Sequence, residues 1–102
     1  MVTRAKSDLL ERTDDRQNDP EKWWKVLIWN DDVTSMDFVV RLLVKLFHKN
    51  TDEACAIMMN VHQQGSGIAG VYVREIAETK LMQAIQMVNE SKYPLKLTIE
   101  EA

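Results

Sequence analysis

The hydrophobic pattern divides the chain near Pro20. Residues 1–20 are mostly polar and charged, broken by little more than Leu9-Leu10. From Trp23 onward the apolar positions become dense and periodic. Trp23 to Trp29 is an aromatic, apolar run broken by Lys25, which predicts a strand. Asn30-Asp31-Asp32 ends it, as short polar turn-formers do. Thr34-Ser35-Met36-Asp37 fits a capping box, with Thr34 capping the first free N–H groups and Asp37 at the third position. Val39, Leu42, Leu43, Leu46 and Phe47 follow at helical spacing, so a helix is expected to about His48. Thr51 reads as the cap of a second helix, whose first turn holds Asp52 and Glu53. Ala54, Ile57, Met58 and Val61 share its apolar face. Gly65-Ser66-Gly67 stops that helix. Ile68 to Val73 reads as a short strand, and Ile76, Ala77, Leu81, Ala84, Ile85 and Val88 mark a third helix. Leu95, Leu97 and Ile99 alternate with Lys96, Thr98 and Glu100, a half-buried strand.

The order is therefore strand, helix, helix, strand, helix, strand. It predicts an α+β fold, a three-stranded antiparallel sheet packed against three helices. Residues 1–20 carry four basic and five acidic side chains, too polar to offset their ordering entropy by burial. Residues 1–21 are thus expected to form a flexible extension and residues 22–102 the folded domain.

Composition narrows the function classes. A chain of 102 residues with 45% hydrophobic positions has room for one domain with a core of its own. The net charge of −3 and the lack of a basic block argue against a nucleic-acid or anionic-membrane partner. No apolar run reaches the ~18 residues of a membrane span. The acidic residues near the start do not suit a signal or transit peptide, so a cytoplasmic location is the expectation. Cys55 is the single cysteine, which excludes an intrachain disulfide. Within its helix it reads as a small core residue.

Two groups could carry chemistry: Asn30-Asp31-Asp32, and His62. Asp31, Asp32 and His62 could serve acid–base chemistry or hold a metal, as in a small metal-dependent hydrolase. The spacing gives this little support. No second His lies nearby, no CxxC or HxxxH occurs, and no glycine-rich phosphate loop follows a strand. A solvated turn and a partly buried histidine explain the same residues. His48 is an ordinary helix C-terminal residue. Met36, Met58 and Met59 could fill the core or line an adaptable apolar pocket. From the residues alone, these alternatives stay open.

A wider pattern bears on the choice. The string Asn30-Asp31-Asp32-Val33-Thr34-Ser35-Met36-Asp37-Phe38-Val39-Val40 resembles the signature of the ClpS adaptor family. So do Met58-Met59-Asn60-Val61-His62-Gln63-Gln64-Gly65, Gly70-Val71-Tyr72, Glu75-Ile76-Ala77-Glu78-Thr79-Lys80 and Tyr93-Pro94-Leu95, in the family's order and spacing. Ser35 stands where the family usually has Pro, and Val33 where it usually has an aromatic residue. The resemblance implies a binding module rather than an enzyme, with no metal or other cofactor. It would recognise proteins that begin with Leu, Phe, Tyr or Trp and deliver them to a ClpA-type AAA+ unfoldase for degradation by ClpP. Asn30, Asp32 and His62 would grip the substrate's α-amino group, with Asp31 supporting the loop or adding negative potential. Thr34, Met36, Val39, Met58, Val61 and Leu95 would line the side-chain pocket. Glu75 and Lys80 would dock on the unfoldase's N-terminal domain, and the extension would be engaged during hand-off.

Overall fold

A computed structural model of the chain describes residues 23–102. The expected extension, residues 1–21, lies outside the described residues. The elements are β1 (Trp23–Trp29), α1 (Met36–Phe47), α2 (Thr51–Gln64), β2 (Ser66–Val73), α3 (Arg74–Ser91) and β3 (Lys96–Glu101). The strands form one antiparallel sheet in the order β2-β1-β3. The expected α+β architecture is therefore the observed one.

Successive residues of the central strand point to opposite faces of the sheet, and Val26, Leu27 and Ile28 are all buried. Val26 and Ile28 of the central strand are fully buried, and they pair with Ile99 and Leu97 of β3. Against them pack Phe38, Val39, Leu42, Leu43 and Phe47 of α1, Ala54 and Val61 of α2, and Ala77, Ala84 and Val88 of α3. The register of β1 against β2 shifts between Val26 and Leu27, where Gly70 and then Ile68 are the partners. The extra residue, Ala69, is fully buried, as suits a bulge that re-aims the strand. The opposite face is held by polar and aromatic pairs. Lys25 lies 3.3 Å from Glu100, Trp29 Nε1 donates to Thr98 Oγ1 at 2.9 Å, and the Lys96 ammonium sits over the Trp29 ring.

Both expected caps fall one residue from their sequence assignment. Ser35, not Thr34, caps α1: its hydroxyl accepts from the Phe38 N–H at 3.1 Å. Asn50, not Thr51, caps α2, in a full capping box with Glu53. The physical reasons differ. Thr34 is drawn away by Asp31, whereas Asn50 is simply an equal or better cap than Thr51. β2 begins earlier than expected, at Ser66, because Gly65 alone, at φ +92°, ends α2.

Burial corrects one further expectation. Cys55 is exposed rather than core. It neighbours Ala54, which is fully buried, but points about 100° away around the helix. Ile76 and Ile85 are also exposed. The small Ala77 and Ala84 take the close approach of α3, leaving the isoleucines on its shoulders.

Candidate functional site

The end of β1 and the end of α2 meet at one point. The pairing of Trp29 with Ser66 continues into a bond from the Asn30 N–H to the Gly65 carbonyl, 2.9 Å long. Gly65 in turn donates to the Val61 carbonyl and closes α2 in a left-handed cap. A residue with a side chain resists that conformation, so glycine lets the helix end where the turn can reach it. His62 lies in the last turn of α2, so the Asn30–Asp32 turn and the imidazole belong to one end of the sheet.

Within the turn the two carboxylates differ. Asp31 is partly buried. Its Oδ1 accepts from the N–H groups of Val33 at 2.8 Å and Thr34 at 2.7 Å, and its Oδ2 accepts from the Thr34 hydroxyl at 2.7 Å. Burial pushes the Asp31 pKa up, but the three hydrogen bonds together outweigh it and hold the carboxyl below its usual value. The carboxylate's contribution to the fold is therefore complete above the unfolded-state value. It is lost as pH falls through the lowered one. Asp32 and Asn30 are exposed, as is His62. Among the described residues, none of these three side chains makes a hydrogen bond. A carboxylate and an amide oxygen in the turn, and an imidazole nitrogen in the last turn of α2, are thus unengaged acceptors.

The expected pocket residues fall into two sets. Val39, Val61 and Leu95 are buried in a single apolar cluster, with Met58 packed against it. Two residues before Leu95, the Tyr93 ring meets Phe38 of α1 edge-on, with centroids 5.1 Å apart. Met36 stands at the start of α1 and is 45% exposed. Thr34 is partly buried, but its hydroxyl is committed to Asp31.

Of the two expected docking residues, Glu75 is exposed in the first turn of α3. Lys80 has an internal duty: its ammonium donates to the Leu46 carbonyl at 2.7 Å and lies 6.0 Å from the Tyr72 ring centre. It clips α3 to the C-terminal turn of α1, where free carbonyls favour a cation.

The described residues contain no group of three or more His, Cys, Asp or Glu side chains placed to hold an ion. None of their helices is long and apolar enough to cross a membrane.

Comparison with known proteins decides the family. Residues 19–98 match the family model described as ATP-dependent Clp protease adaptor protein ClpS. This chain belongs to the ClpS family. A ClpS adapter protein of Bdellovibrio bacteriovorus is 49% identical over 83 residues, covering 81% of this chain and 73% of the relative. One from Campylobacter jejuni is 41% identical over 96 residues, 94% of this chain and 97% of the relative. The solved structure of Agrobacterium tumefaciens ClpS2 bound to L-phenylalaninamide superposes with a TM-score of 0.77 at 36% identity, covering 80% of this chain and 99% of that one. ClpS membership makes this chain an adaptor of the Clp protease rather than an enzyme. The Ser35 hydroxyl supplies a helix cap. The sequence reading missed this cap and the Asn30–Gly65 seam. Ser35 is itself a strong cap residue and could have been found, whereas the seam is a long-range contact with no local signal.

Proposed function

We propose that this chain captures proteins by an N-terminal Leu, Phe, Tyr or Trp and hands them to a ClpA-type AAA+ unfoldase for degradation by ClpP. The observation that carries the reading is the seam between Asn30 and Gly65, which sets the acceptors of the turn beside the last turn of α2. An N-terminal residue differs from an internal one by its ammonium group. Asn30, Asp32 and His62 offer that group three acceptors, each charge-assisted bond worth ~1.5–3 kcal/mol. The apolar side chain enters beside Val39, Met58, Val61 and Leu95, where burial of a Leu or Phe contributes another ~1.5–3 kcal/mol. Phenylalaninamide, the ligand of the related Agrobacterium protein, has a free α-amine, a benzyl group and an amide in place of the carboxylate. Those are the groups that an N-terminal Phe presents.

Capture breaks no bond, so it needs neither a nucleophile nor a metal. Delivery falls to other parts of the chain. Glu75 offers an exposed charge on α3. Lys80 orders the neighbouring surface through its bond to Leu46. Residues 1–21 would be engaged by the unfoldase. In a reconstituted degradation assay, a reporter beginning with Leu should be degraded faster when this chain is added, while one beginning with Ala should not. Equal rates with and without the chain would contradict the reading.

Met36 should set the shape limit of the pocket. Standing exposed at the mouth, its flexible thioether crowds side chains branched next to the backbone. Met36→Ala is expected to improve binding of Ile- and Val-initiated peptides relative to Leu by about tenfold, since relief of such a clash is worth ~1–3 kcal/mol. Competition binding on the folded variant measures this. Unchanged discrimination would remove Met36 from the gate.

A further inference from the structure

Asp31 and Asp32 are adjacent in sequence, yet their surroundings are unlike. Both oxygens of Asp31 are consumed within the turn, by two backbone N–H groups and the Thr34 hydroxyl at 2.7–2.8 Å. Three of the carboxylate's roughly four acceptor positions are thereby filled from within the turn. Asp32 is exposed and makes no hydrogen bond among the described residues. We infer that Asp31 is a positioning residue, which with Thr34 latches the turn so that Asn30 and Asp32 face the client's amine, and which does not itself touch that amine. The inference rests on the amine-binding reading of the site.

The geometry gives the latch its purpose. Asn30 is anchored from one side by its backbone bond to Gly65, and Ser35 is anchored from the other by its cap on α1. Between them, Asp31 folds the chain back onto Val33 and Thr34 and leaves Asp32 at the outside of the bend. Holding acceptors in place before the ligand arrives saves the ordering cost at the moment of binding. The latch also reassigns Thr34: its hydroxyl serves the turn rather than the pocket wall.

The test uses the full chain, a fluorescent Leu-initiated peptide and the variants Thr34→Val, Asp31→Asn, their combination and Thr34→Ser. Thr34→Val removes the side-chain bond and should weaken binding about tenfold. Asp31→Asn should cost a similar factor. The double variant should be no more than about twofold weaker than the poorer single, because the two residues act as one unit. Thr34→Ser keeps the hydroxyl and should recover most of the affinity lost in Thr34→Val. The Asp31 carboxyl, followed by NMR, should titrate at higher pH in Thr34→Val than in the wild type, a change that a general loss of packing would not single out. Thr34→Val binding like wild type while Asp31→Asn fails would overturn the inference in favour of a direct contact. Additive losses would also overturn it. A wild-type chain that binds no Leu-initiated peptide would instead overturn the amine-binding reading, and the inference with it.

Discussion

Acetylating the α-amine of a Leu-initiated peptide is expected to abolish its binding, with a loss of at least about a hundredfold. Acetylation removes the positive charge and two of the donors, and it adds bulk at the group that the proposed acceptors Asn30, Asp32 and His62 would hold. Two charge-assisted bonds at ~1.5–3 kcal/mol each account for a factor of this size. The three acceptors are exposed in the free chain, so they are hydrated before binding, and the lower end of that range applies. A peptide with the same side chain, length and charge elsewhere is the control. Acetylated and free peptides binding alike in fluorescence anisotropy would remove the amine from the recognition scheme and leave only an apolar groove.

The second large effect separates capture from delivery. Deleting residues 1–20 is expected to leave peptide affinity within about twofold, because every proposed pocket residue lies beyond them. The same truncation should abolish faster degradation of a Leu-initiated reporter by the reconstituted unfoldase and ClpP. The physical requirement is reach. A polar chain of about 20 residues behaving as a random coil has a typical end-to-end distance near 25 Å, enough to enter a neighbouring pore while the domain stays docked. A scrambled segment of equal length should therefore restore delivery. Equal degradation with full-length and truncated chains would contradict the role. Failure of the scrambled segment alone would replace reach with sequence-specific contacts.

Much of this architecture was legible in the order of residues, because periodicity reports which face of an element meets the core. Trp23–Trp29 and Lys96–Glu101 were readable as strands, and Met36–Phe47 as a helix, from spacing alone. What escaped was set by competition between neighbours or by distance along the chain. Thr34 looked like a helix cap, but its hydroxyl has a better partner in Asp31, and Ser35 caps instead. Cys55 looked like core, but its neighbour Ala54 is the residue that is fully buried. The bond from Lys80 to the Leu46 carbonyl spans 34 positions and leaves no mark in the local pattern. For the site, motif spacing named the acceptors. It could not say that one of the two aspartates is occupied by its own turn.

The most direct measurement of the central claim is binding of a peptide series identical except at its first residue. Peptides beginning with Leu, Phe, Tyr or Trp are expected to bind. Those beginning with Ala, Ser, Asp or Lys should bind at least about tenfold more weakly, since they bury little apolar surface or bring a charge beside Val39, Val61 and Leu95. Moving Leu to the second position, behind Ala, should cost as much as replacing it. Affinities that ignore the first residue, or that follow Leu equally well at the second, would contradict the account.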